Sequence, residues 1–167
     1  SSIDGDCNDS DANIKPGVVE VCDTLDNDCD GDIDDADSGI VGQSTFYEDA
    51  DGDGVGSNNT VLACVQPANF LPSTGDCNDG DAAINPSASE ICDSVDNDCD
   101  GAIDDADGSV IGQSVWYQDS DADNYGSSTS TVACNQPSGY APSGGDCNDG
   151  NGGINPAAAE ICVNGTD

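Results

Sequence analysis

The sequence predicts a small, loop-rich, mainly-β tandem repeat with little helix and no large hydrophobic core. Three observations carry this. The chain repeats: Gly5-Asp6-Cys7-Asn8-Asp9 returns 70 residues later at Gly75 and again at Gly145. Aromatic residues make up only 4% of 167 residues, too few for a sizeable core. Ten cysteines recur in register with the acidic segments, which reads as a disulfide framework of the kind small exported domains use in place of a core. The organisation is two full periods, 5–74 and 75–144, and the opening of a third, 145–167.

Charge excludes several function classes. There are 35 acidic residues against one basic residue, Lys15, for a net charge of −34. Nucleic-acid binding needs Lys and Arg to neutralise phosphate, and attraction to an anionic membrane needs the same. No stretch approaches the length of a membrane span. Without His, a Ser-His-Asp or Cys-His centre cannot be built. Such charge density disorders a chain unless something neutralises it. The lack of a starting Met and of a signal peptide fits an excerpt of an exported precursor.

The elements follow in chain order. Residues 40–48 and 110–118 alternate like short strands, with weaker candidates at 60–64 and 131–134. One helical turn is expected after each proline, over 13–20, 85–90 and 155–160. Gln66-Pro67 and Gln136-Pro137 mark loops. Ile14, Val21, Leu25, Ile33, Val41, Phe46 and Phe70 form the expected small core, with apolar counterparts one period later.

Three acidic segments per period carry the chemistry. In the first, counted from Asp26, acids stand at positions 1, 3, 5, 9 and 12 (Asp26, Asp28, Asp30, Asp34, Asp37). Gly31 is at position 6 and Ile33 at position 8, where it should anchor a small strand pair. This is the spacing of an EF-hand loop: alternate carboxylates converge on one cation, glycine permits the turn, and Asp32 supplies a carbonyl. The copy is Asp96, Asp98, Asp100, Ala102, Asp104 and Asp107. The second segment has Asp49, Asp51 and Asp53 at positions 1, 3 and 5, with Val55 offering a carbonyl. Its copy is Asp119, Asp121, Asp123 and Tyr125. Position 12 holds no acid in either copy, so either a carboxylate from elsewhere completes the site or the site is a weaker one. The third segment is Asp6, Asn8, Asp9 and Asp11 with Glu20. Its copies are Asp76, Asn78, Asp79, Asp81 and Glu90, then Asp146, Asn148, Asp149, Asn151 and Glu160. The glutamate is read as a bidentate ligand to the ion held by the adjacent acids, the alternative being a surface charge at a helix end. Hard oxygen donors in flexible loops suit Ca2+, about three per full repeat. Copper and zinc favour imidazole or sulfur.

The run DCND-x-D followed by INP, E-x-C-D, DNDCDG and Y-x-D-x-D-x-D resembles the MopE-type metal-binding repeats of exported surface proteins. The loops are also similar to thrombospondin type 3 repeats. The resemblance implies extracellular, calcium-dependent structural modules, usually parts of longer proteins.

Two disulfide patterns respect the repeat. One pairs Cys22–Cys29, Cys64–Cys77, Cys92–Cys99 and Cys134–Cys147, leaving Cys7 and Cys162. The other pairs Cys7–Cys22, Cys29–Cys64, Cys77–Cys92, Cys99–Cys134 and Cys147–Cys162. The first is preferred. Asn58 and Asn164 open formal glycosylation sequons, and Asp167 reads as the start of a further calcium loop.

The function expected is that of a non-enzymatic extracellular calcium-binding structural repeat, a subunit of a surface filament, stalk or adhesin associating head to tail. The alternatives are a calcium-dependent protein- or carbohydrate-docking module and an acidic ion-buffering or mineral-binding protein.

Overall fold

The computed structural model describes residues 5–158; Glu160, Cys162, Asn164 and Asp167 lie outside the described residues. The chain divides into two compact units, Ser1–Pro86 and Ser87–Asp167. The break falls after the opening of the second period, so the segment at Asp76–Asp81 belongs with the loop that precedes it.

The first unit is organised on a three-stranded antiparallel sheet with β1 (Ser44–Glu48) in the centre, flanked by β2 (Thr60–Ala63) and β3 (Phe70–Leu71). Thr45 and Phe46, β-branched and aromatic, face Leu62 and Val61 across the first pair, and Tyr47 and Glu48 face Leu71 and Phe70 across the second. The turn into β3 is held by the Gln66 amide, which donates to the Phe70 carbonyl. In the second unit β4 (Ser114–Gln118) lies between β6 (Ser130–Ala133) and β7 (Tyr140–Ala141) in the same register. There, β5 (Tyr125–Gly126) pairs in parallel with β8 (Ser143–Gly144). The strand expectations at 40–48, 60–64, 110–118 and 131–134 agree with these elements apart from their ends.

The helical expectation does not hold. Residues 13–20 and 85–90 are turns and bends, and the helical turns among the described residues are three-residue 3-10 pieces at Asp34–Ala36 and Asp104–Ala106. In the first segment the backbone N–H of Lys15 donates to the Asn27 carbonyl, a long-range bond that a local helix would not offer.

The core also differs from expectation. Ile14 and Phe46 are buried, but Val21, Leu25, Ile33 and Val41 are between 39% and 50% exposed. Val21 meets Val41 through an isolated parallel bridge, and Ile33 precedes the 3-10 turn in extended conformation instead of entering a strand pair. The interior that these side chains fail to fill is polar: Glu20, Asn27, Asp37 and Asp76 are buried in the first unit, and Glu90, Asn97, Asp107 and Asp146 in the second.

Both expected disulfide patterns are corrected. The bridges are Cys7–Cys29 and Cys22–Cys64 in the first unit and Cys92–Cys134 in the second; Cys77 and Cys99 are also disulfide-bonded. The reason is local geometry. Cys29 stands at loop position 4 with φ +62°, and its sulfur meets Cys7, whose own N–H donates to it. Cys22 follows the Val21–Val41 bridge to the end of β2, where Cys64 lies with its N–H on both oxygens of Asp35.

Candidate metal centres

The acidic loops are built by one repeated device: a carboxylate turns one oxygen back onto a nearby backbone N–H. Asp26 Oδ2 accepts from Gly31 at 3.1 Å, Asp28 Oδ1 from Asp30 at 3.2 Å, and Asp30 Oδ1 from Asp32 at 2.9 Å. The turn this enforces needs left-handed backbone, and Gly31 supplies it at position 6 with φ +101°. Position 4 is left-handed as well, at Cys29, Cys99 and Ala122, which the spacing alone does not reveal.

Glu20 is the hub of the first loop. It is 1% exposed, its Oε2 accepts from Asn27 N at 2.8 Å, and its Oε1 accepts from Asp34 N at 3.1 Å. One carboxylate therefore ties position 2 to position 9. Glu90 does the same with Asn97 and Asp104, both at 2.8 Å. Ligand oxygens of Glu20, Asp26 and Asp28 lie within 4.8 Å of one another, as do those of Asp28, Asp30 and Asp37. Glu90, Asp96 and Asp98 repeat the first grouping. Asp37 and Asp107 turn Oδ1 onto Gly39 N and Ser109 N in short hydrogen bonds.

Asp34 and Asp104, expected as ligands at position 9, have another engagement. Asp34 Oδ1 accepts from Asp23 N and Thr24 N, and Asp104 accepts from Ser94 N and its hydroxyl. At position 7 the N–H groups of Asp32, Ala102, Val55 and Tyr125 each donate to the position-5 carboxylate.

Carboxylates from outside the second loop lie beside it. Asp49 and Asp51 group with Asp79, and Asp51 and Asp53 group with Asp76, all within 4.8 Å. Asp79 Oδ1 accepts from Ala50 N. In the second unit Asp149 accepts from both Ser120 N and Ser120 Oγ, and the Asp146 charge acts on Asp121. The third segment is thus divided and does not act as one self-contained site. Its glutamate serves the first loop, and its aspartates at 76 and 79 serve the preceding second loop. Asp6 and Asn8 close their own turns through Asn8 N and Ser10 N. Asp11, Asp81 and Asn151 close theirs through Asn13 N, Ala83 N and Gly153 N. Asn78 and Asn148 donate their N–H to Asp76 and Asp146, while Asp9 is exposed.

Sequence reading missed Asn27 and Asn97. Each is buried, and beyond its N–H to the glutamate its amide takes Val21 N or Ile91 N and donates to Asp23 or Asp93. The available signal was an identical Asn at position 2 of both loops. Asn155 was also missed; its amide donates to Asp123 Oδ2 at 2.6 Å.

Electrostatics in these clusters is unbalanced. Burial raises the carboxyls of Asp28, Asp76, Asp98 and Asp121 above the ordinary range, and neighbouring aspartates add to the rise. Buried oxygens without a hydrogen-bond donor collect here: Asp51 Oδ2, Asp53 Oδ2 and Asp76 Oδ2 in the first unit, and Asp107 Oδ2, Asp121 Oδ2 and Asp146 Oδ2 in the second. An unpaired buried carboxylate oxygen is costly, and a cation is the group that satisfies several at once.

These features define a class: a tandem repeat whose interior consists of acidic metal-type loops closed by disulfides. The particular family follows from comparison. Residues 6–35, 76–105 and 146–167 match the model named Cu-binding MopE, described as "Putative metal-binding motif". The chain carries three copies of that family's motif. No curated protein and no solved structure matches it.

Proposed function

We propose that this chain is an extracellular, calcium-binding structural repeat, a segment of a surface filament, stalk or adhesin that Ca2+ and disulfides make rigid. The carrying observation is the set of buried carboxylate oxygens with no donor, gathered at loops that present oxygen ligands only. Such donors suit a hard cation of high coordination number.

The family's name points to copper, and the donor chemistry of this chain argues otherwise. The sequence has no His and no Met, and the cysteines beside the clusters, Cys7, Cys29, Cys77 and Cys99, are disulfide-bonded. The carboxylates that recur in register are accounted for as ligands or turn-formers, which supports a non-enzymatic role. Several disulfides fit an oxidising compartment, and no helix among the described residues is long and apolar enough to cross a membrane. Modules that repeat along the chain favour use as an extended structure associating head to tail.

The test is removal and replacement of the metal. The protein is treated with EGTA and then given Ca2+, Mg2+ or Cu2+, with near-ultraviolet circular dichroism and protease resistance as readouts. Loss on chelation and recovery with Ca2+ at lower concentration than Mg2+ is expected. Indifference to chelation, or recovery with Cu2+ alone, overturns the reading.

A further inference from the structure

We propose that the second acidic loop is a two-ion site bridged by Asp51, with Asp121 in the same role in the copy. This rests on the calcium reading above and goes beyond it in number, ligand assignment and consequence. Asp49, Asp51 and Asp53 lie outside the residues that match the family motif.

The observations are geometric. The carboxylates fall into two groups, Asp49·Asp51·Asp79 and Asp51·Asp53·Asp76, and Asp51 belongs to both. Asp76 is 4% exposed and its Oδ2 has no donor, while its Oδ1 is taken by Asn78 N. Asp51 and Asp53 follow the same division, one oxygen on the backbone and Oδ2 buried without a donor. In the second unit Asp121 is placed as Asp51 is: its Oδ2 is buried without a donor, and the Asp123 N–H acts on its carboxyl as the Asp53 N–H does on that of Asp51. Asp146 repeats Asp76, 7% exposed with Oδ2 unsatisfied. Charge agrees with the geometry. The five carboxylates Asp49, Asp51, Asp53, Asp76 and Asp79 keep three negative charges after one divalent ion, and one after two.

The consequence is a clasp. One ion pins Asp79 and the other pins Asp76, so the pair fastens the opening of one period onto the loop of the period before it. The clasp adds to backbone bonds that already join the two, Gly75 N and Asp76 N to the Gly56 carbonyl.

The experiment counts calcium ions by native mass spectrometry on the full chain and on Asp76→Asn, Asp79→Asn and the double variant. Each single variant should lose one ion and the double two. If the two aspartates share one ion, the double loses no more than either single, and the proposal fails. Disulfide mapping and near-ultraviolet circular dichroism check the fold of each variant. Asp146→Asn and Asp149→Asn repeat the test with separate ligands, and Tb3+ emission sensitised by Tyr125 reads that loop directly. Anomalous diffraction from Tb3+-loaded wild-type crystals needs no variant: two peaks beside Asp51 support the proposal and a single peak overturns it. Absence of any bound ion in the wild type fails the calcium reading itself, whereas one ion per composite loop fails only the bridge.

Discussion

Glu90 concentrates the logic of the molecule in one side chain. It is 0% exposed, its two oxygens accept from Asn97 N and Asp104 N, and it groups with Asp96 and Asp98, so the side chain that forms the loop also lies in its acidic cluster. In Glu90→Gln an amide NH2 replaces one acceptor and faces a backbone N–H. The expected loss of stability is about 1–3 kcal/mol, the usual cost of a buried unsatisfied group, together with weaker calcium binding. Denaturant melts at saturating Ca2+ measure the first and calcium titration the second; an unchanged midpoint would remove Glu90 from its assigned place. Ala122 gives the opposite prediction. It holds φ +64° at the position where the first loop of this type has Gly52 at φ +82°. Left-handed backbone costs a residue with a Cβ roughly 1–2 kcal/mol, so Ala122→Gly should raise stability by up to about 1 kcal/mol after the extra entropy of glycine. Gly126 does not tolerate the reverse change: an added Cβ would lie 2.6 Å from the Tyr117 backbone. Gly126→Ala should therefore lower the melting temperature at any calcium concentration.

Among the elements, the sheet and the loop are joined at a short 3-10 turn. Asp34 fastens one side of that turn to Asp23 and Thr24, and Asp35 fastens the other to Cys64 N and the Gln43 amide. Asp105 repeats the second link with Cys134 and Gln113. A metal bound at the loop would thus brace the same piece of chain as the Cys22–Cys64 bridge. Each bridge of this type spans 42 residues. In the chain-entropy picture, removing Cys92–Cys134 by a double Ser substitution costs roughly 4 kcal/mol. The second unit should then unfold at lower denaturant than the first, visible in Trp116 fluorescence, since Trp116 lies on β4. The longer strands β1, β2, β4 and β6 were legible in the sequence because residues such as Phe46 and Val61 alternate and pair, whereas the two-residue strands β3, β5, β7 and β8 are too short to show a period. The 3-10 turns were not, because nothing local marks Asp34–Ala36 as helical; the turn exists through the carboxylate bonds made on either side of it.

At the scale of the whole molecule, the net charge of −34 sets opposite pH responses with and without metal. In the metal-free protein, burial and then neighbouring charge raise the carboxyls of Asp28, Asp76, Asp98 and Asp121. A raised value means the folded chain prefers the protonated form. That contribution is complete below the unfolded carboxylate value of about 3.9 and is lost as pH rises through the raised values. Chelated protein should therefore be more resistant to denaturant near pH 4 than near pH 7. Calcium-loaded protein should run the other way, because protons displace the ion as pH falls. Melts from pH 3 to 8 with EDTA and with Ca2+ check this, and parallel curves would contradict it.

The sequence by itself determined the repeat, the oxygen-only donor set, the dependence on disulfides and the poverty of the core. These are properties of composition and spacing, readable wherever Asp, Gly and Cys recur in register. It also indicated that the loop at Asp49 was short of a ligand. Only the tertiary structure decided which carboxylates lie beside it, since Asp76 and Asp79 reach that loop across more than twenty intervening residues. It decided equally that Cys29 meets Cys7, and that Val41 and Ile33 stay near the surface while Glu20 and Asp37 go inside. The physical reason is the same throughout. Local pattern fixes the shape of a turn, but which turns share an interior depends on where buried carboxylates can be satisfied together.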